Sequence, residues 1–191
     1  MKNVHVRPLD LELRRMRFRS LTLLHLDRLV ALASRWSAGQ ETEDWVQETY
    51  VRAWVSIDQL RDPGAALPWL CQILRKVAGE RRRALGLWHE PLPAQDLEDA
   101  HEEIVASEHP SPFDDLLERL DPAGLHEALR SIPDEFAEPV ELHDVHGLKY
   151  REIAAVTGLS LGTVMIRVSR GRRMLAGFVS LLGDGARRGA A

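Results

Sequence analysis

Apolar residues recur at three- and four-residue spacing through most of the first 85 positions, with no alternating strand pattern and no Asn-Gly hairpin signal. The pattern predicts an all-α chain. Leu21, Leu24, Leu29 and Leu32 fall in a first long helical segment that ends near Trp36, ahead of Ala38-Gly39. A second helix is expected from Thr42, where the hydroxyl can cap and Glu43 and Asp44 suit the positive first turn, to about Ile57. The stretch from Asp58 to Leu67, centred on Asp62-Pro63-Gly64, breaks the period. Pro68 suits the first residue of a third helix, which runs to about Leu85.

From Gly86 to Pro122 the periodicity fades into five prolines and a run of acids, with at most a helical turn around Glu98 to Ala106. The expected organisation is two small helical domains, 1–85 and 123–191, joined by an acidic flexible linker at 86–122. In the second domain Leu125, Leu129 and Ile132 suit a short helix, and Pro133 opens another that ends at Gly147. A third helix spans Tyr150 to Thr157, and a long fourth follows Ser160.

At 100° per residue the third helix sets Leu70, Ile73, Leu74 and Val77 on one side and Arg75, Lys76, Gly79, Arg82 and Arg83 on the other. Arg81 lies beside this cationic stripe and no acid lies within it, an arrangement suited to phosphate. The second helix turns Val46, Tyr50, Ala53 and Ile57 inward and Asp44, Gln47, Glu48, Val51, Arg52 and Val55 outward. Two valines ringed by acid, amide and arginine suit a protein-docking patch better than a DNA surface, because the carboxylates repel phosphate.

The segment from Arg151 to Leu175 has the pattern of a helix-turn-helix. Ile153 and Ala154 supply an inward face, Gly158 the permissive turn, and Ser160 a cap for the second helix. In that helix Leu161, Val164, Val168, Gly171 and Leu175 share one face, extended by Phe178 and Leu182. Opposite lie Gly162, Ile166, Ser169, Arg170 and Arg173, flanked by Met165 and Arg172 on one side and Thr163 and Arg167 on the other. Arginines for guanine edges and phosphates, hydroxyls, and apolar tips for thymine methyls are what a major-groove reader uses.

A net charge of -4 argues against a nucleic-acid partner only while it is taken as one number. Residues 1–83 hold 15 basic and 10 acidic side chains, residues 84–121 hold 1 and 11, and residues 122–191 hold 9 and 8. Two basic surfaces thus flank an acidic tether. A single cysteine, Cys71, excludes a disulfide framework and a zinc site of several thiolates, which fits a reducing cytoplasm. Arg14, Arg15, Arg17 and Arg19 interrupt the N-terminus before an apolar run of signal-peptide length, and the chain is expected to be soluble and unsecreted.

TEDWVQETYVRAW (Thr42 to Trp54) and PWLCQILRKVAGERRRA (Pro68 to Ala84) resemble the second conserved region of bacterial extracytoplasmic-function (ECF) sigma factors. Leu129 to Leu175, with SIPDEF, HDVHGLKYREIA and LGTVMIRVSRGRRML, resembles their fourth region. The resemblance implies a non-enzymatic subunit, without cofactor or metal, that joins core RNA polymerase and directs it to promoters. It implies that the segment from Asp44 to Arg52 docks on the clamp coiled coil of the largest polymerase subunit, in agreement with the docking patch of Val51 and Val55 read above. It assigns the minus-ten element to the Asp58 to Leu67 loop with Arg61 and to the helix after Pro68, and the minus-thirty-five element to the helix after Ser160. It also implies an anti-sigma partner, often membrane-bound. Lys76 stands where family members often carry Asn, and Met165 and Ile166 stand where many carry a basic and a small polar residue.

Three other readings belong beside this one. The helix-turn-helix alone also resembles stand-alone regulators, which would leave the Val51 and Val55 face without a use. A degenerate sigma-like chain could act only by titrating an inhibitor, although its arginine stripe would then have no role. His143-Asp144, with His126, Glu141 and His146 nearby, prompts a metal-dependent hydrolase, but the spacing lacks the repeated histidines of a zinc helix and suits surface histidines on a solvated helix. Cys71, at the edge of the apolar stripe, reads as a packing residue.

Overall fold

The computed structural model describes residues 8–37, 39, 41–84 and 122–188, with side chains described for 11–37, 39, 41–84, 124–125 and 127–177. The linker at 86–121, the helical turn anticipated at Glu98 to Ala106, and the side chains of His126, Phe178 and Leu182 lie outside the described residues. The chain divides into two compact units, Met1–Pro91 and Leu92–Ala191. Among the described residues every regular element is helical.

The first unit is built from α1 (Pro8–Thr22), α2 (Leu26–Trp36), α3 (Thr42–Ser56) and α4 (Ala66–Ala84). The single long segment expected up to Trp36 is in fact two helices, parted by a 3-10 turn at Leu23–His25. The Thr22 hydroxyl donates back to the Phe18 carbonyl at 2.7 Å, a bond that bends helices. Tyr50 of α3 donates its phenol to the Thr22 carbonyl at 2.9 Å. The ladder is therefore drawn off at that point, and Leu24, expected in the apolar set, is 66% exposed.

Leu29, Leu32 and Ala33 of α2 meet Val46 and Ala53 of α3 and Leu70, Leu74 and Val77 of α4 in the buried core. Trp45 and Thr49, which periodicity did not single out, are buried there as well, while Tyr50 is half-buried. Thr42 is the first helical residue of α3, not its cap. Glu41 precedes it in the left-handed region at φ +54°, and its carboxylate accepts the Trp45 indole N–H at 3.2 Å. The Thr42 hydroxyl instead lies 3.0 Å from that of Ser37. Similarly, α4 begins at Ala66, with Pro68 inside its first turn, where a missing N–H is still harmless.

Cys71 is fully buried, more central than the edge of a stripe implies, because α2 and α3 both close over α4. Burial pushes its thiol up to about 12. Iodoacetamide at neutral pH should therefore label Cys71 only as fast as the unit opens, with rates that rise with urea; fast labelling of the native chain would contradict this.

The second unit holds α5 (Pro122–Arg130), α6 (Asp134–Val140), α7 (Tyr150–Thr157) and α8 (Leu161–Arg188). Between α6 and α7 the chain widens into a π turn at Glu141–Val145, closed by the His146 N–H on the Glu141 carbonyl at 3.0 Å. Pro139, buried inside α6, removes one N–H from the ladder just before this change of register. Ala128, Leu129, Ile132, Ala137, Val140, Leu142, Leu148, Ile153, Val156, Val164, Val168 and Leu175 form the core. Among the described residues no single helix is long and apolar enough to cross a membrane.

Candidate nucleic-acid interface

On the outer face of α3, Val51 is 59% and Val55 72% exposed, one helical turn apart and so side by side on the surface. Asp44 and Gln47 are exposed beside them and Glu48 is half-buried. Arg52 donates to Glu48 at 2.8 Å and through both fork nitrogens to Glu80 of α4 at 3.0 and 2.6 Å. The guanidinium holds the Glu80 carboxyl below its ordinary value. Arg52 thus joins α3 to α4, a role that the wheel of either helix cannot show.

Glu80 also borders the cationic stripe of α4 that the sequence presents as free of acid. Lys76, Arg81, Arg82 and Arg83 are exposed along that helix, and Lys76 and Arg83 add to the field on Glu80. Arg75 is half-buried, its guanidinium 5.8 Å over the Trp36 ring. The loop ahead of α4 is held at its base: Ile57, Leu60 and Ala66 are buried as one cluster against Phe18, Leu21 and Trp69. Arg17 donates to the Leu60 carbonyl at 2.6 Å, and the Asp62 carboxylate accepts the Gly64 N–H at 2.9 Å. Asp58 and Gln59 are exposed on one side of Leu60, and the tip, with Arg61, Asp62, Pro63 and Gly64, is exposed on the other, held by its anchored base and the Asp62 bond to Gly64.

In the second unit α7 and α8 form the helix-turn-helix. Gly158 turns the chain at φ +77°. The Ser160 hydroxyl accepts the Thr163 N–H at 3.1 Å, the expected cap, and its carbonyl accepts Val164 N–H at 3.0 Å. Val164, Val168, Gly171 and Leu175 face inward as expected, but Leu161 is 40% exposed. As the first helical residue its side chain points back beyond the core.

On the opposite face Gly162, Ser169 and Arg173 are exposed, and Thr163, Met165, Ile166 and Arg170 are half-exposed. The two flanking arginines are otherwise engaged. Arg167 lies 3.6 Å from Glu135 of α6, and Arg172 grips Asp144 of the π turn with two nitrogens, its Nε at 3.0 Å. Asp144 is nearly buried. Neither carboxylate was read from sequence as an arginine partner: Asp144 stood out only beside His143, and it lies 28 residues from Arg172, where no local spacing marks the pair.

The histidine cluster that prompted a metal-site reading is placed for packing. The His143 ring nitrogen lies 2.7 Å from the Leu148 carbonyl and its ring stacks at 4.4 Å on Tyr150. His146 is buried 3.9 Å from the Glu141 carboxylate, so it is not a surface histidine either.

A four-helix unit with a cationic fourth helix, followed by a unit ending in a capped helix-turn-helix, is the build of a two-domain helical protein suited to DNA. The family description "Sigma-70 region 2" matches residues 21–86, and "Sigma-70, region 4" matches residues 123–175. The chain is 37% identical over 158 residues to the ECF RNA polymerase sigma factor SigE of Mycolicibacterium smegmatis, covering 82% of this chain but 59% of that protein. It is 26% identical over 164 residues to the ECF RNA polymerase sigma-E factor of Haemophilus influenzae, covering 83% and 85% of the two chains. The crystal structure of the sigma factor RpoE of Bartonella quintana, in complex with the anti-sigma factor NepR, superposes with a TM-score of 0.61 at 28% identity, over 85% of this chain and 96% of that one. The chain belongs to the ECF sigma factors.

Proposed function

We propose that this chain is a sigma subunit that joins core RNA polymerase, carries it to promoters and starts transcription without covalent chemistry of its own. The observation that carries the reading is the coexistence, in one chain, of the bare Val51 and Val55 patch with a cationic helix and a helix-turn-helix. In this reading the patch, rimmed by Asp44, Gln47, Glu48 and Arg52, docks on the clamp coiled coil of the largest polymerase subunit. An apolar centre with a charged rim is what a protein interface needs.

Arg75, Lys76, Arg82 and Arg83 hold the phosphates of the minus-ten element, and the preset tip around Arg61 receives an unstacked base. Extruding a base costs a few kcal/mol, and capture by a loop that need not reorganise offsets that cost. Thr163, Met165, Ile166, Ser169, Arg170 and Arg173 face the minus-thirty-five major groove. An anti-sigma protein, membrane-anchored in one form of the arrangement, holds the chain inactive in the cytoplasm; the neighbour crystallised with NepR supports such a partner.

The test is transcription by purified core polymerase on a promoter library. Initiation that requires both core and this chain is the expected result, and the enriched sequences report the elements preferred. Sequence-specific duplex binding with no core-dependent initiation would overturn the reading in favour of a stand-alone regulator.

A further inference from the structure

The long helix α8 is gripped by α6 and the π turn at three points. Near its start Arg167 faces Glu135 at 3.6 Å. In the middle Gly171 lies so close to α6 that a Cβ there would stand 2.6 Å from a Val140 methyl and 3.0 Å from the Phe136 carbonyl oxygen. One residue further, Arg172 makes its two-pronged pair with the nearly buried Asp144. Val140 and Asp144 thus meet consecutive residues of α8, Gly171 and Arg172, from the two sides of the change of register.

From this arrangement the geometry points to Arg172 as a positioning residue, one that fixes the angle and roll of α8 through Asp144 and leaves DNA contact to its exposed neighbours. Arg167 with Glu135 is a weaker second stay of the same kind. A fork bound to both oxygens of a carboxylate restrains rotation as well as distance, which one N–H contact does not. Gly171 removes the slack between the helices, so a change at the pair is transmitted to the whole reading face. An arginine whose guanidinium is spent in this way, with a side chain only 24% exposed, is a poor donor to a phosphate on the far side of the helix. The inference rests on the promoter-reading role proposed for α8.

The experiment compares Asp144→Asn, Arg172→Gln, the double variant D144N/R172Q and the exposed-cation control Arg173→Gln, in the full chain with core polymerase. Binding is measured on the best fragment from the promoter library and on the same fragment with a scrambled minus-thirty-five element, across a salt series, and melting curves are taken of each free chain.

Arg173→Gln is expected to flatten the dependence of log K on log salt by about one phosphate contact. Arg172→Gln and Asp144→Asn should leave that slope unchanged, and each should lower discrimination against the scrambled element roughly tenfold. The double variant, with no unpaired charge left buried, should melt above either single variant yet keep the loss of discrimination. That separates positioning from stability alone. A slope flattened by about one in Arg172→Gln, with Asp144→Asn binding like the wild type, would overturn the inference and make Arg172 a phosphate contact. Discrimination that recovers with stability in the double variant would also overturn it. A wild-type chain that binds no promoter with core polymerase overturns the parent reading instead.

Discussion

Gly171→Ala should destabilise the second unit by about 2 kcal/mol, within the range for forcing one methyl group into a filled interface. For a unit of this size that lowers the melting point by roughly 10 °C. The added Cβ would sit 2.6 Å from a Val140 methyl and 3.0 Å from the Phe136 backbone oxygen, and the carbonyl cannot swing away without disturbing α6. Gly177, further along the same helix and with nothing within 4 Å of its would-be Cβ, supplies the internal control. There the same substitution should stabilise by up to ~1 kcal/mol, from helix propensity alone. Urea denaturation followed by far-ultraviolet circular dichroism reads both. Equal effects at the two sites would mean that α6 and α8 do not approach as closely as they do here.

The double substitution Val51→Asp, Val55→Asp should leave the melting curve within about 0.5 kcal/mol of the wild type, since both side chains stand in solvent. Its affinity for core polymerase should nonetheless fall by roughly 30-fold or more, the equivalent of losing ~2 kcal/mol at the centre of an interface. Titration of labelled chain with core polymerase measures this directly. Undiminished binding would remove α3 from the docking surface. Arg52→Ala is a poorer probe of the same face because it also breaks the ties to Glu48 and Glu80.

Sequence legibility followed the distance between a feature and its cause. The limits of α7, the Gly158 turn and the Ser160 cap were readable because each depends on groups within four residues. The break after Thr22 meets Tyr50 from 28 residues away, which no local spacing marks. The start of α3 is an exception, for Glu41 and Trp45 are only four residues apart and an indole N–H reaching back to a carboxylate has no place among the usual capping signals. A helical wheel tells which way an arginine points but not what waits for it. Arg170 and Arg173 were therefore placed on the outer face with some accuracy, whereas Arg52, Arg167 and Arg172 turned out to face carboxylates on other elements. Cys71 and Trp45 show the same limit inside the core, where the wheel of one helix cannot register that two neighbours converge on it.

Around the circumference of α8 the tasks are divided: Val164, Val168, Gly171 and Leu175 are sealed in the core, Arg167 and Arg172 are tied to neighbouring elements, and Met165, Ile166, Ser169 and Arg170 carry little of the fold. A helix partitioned in this way is a rewritable one. Its outward letters can be exchanged while the frame beneath stays intact, and under the promoter-reading role proposed for α8 a set of chains with one scaffold and different promoters would then be within reach of a few codons.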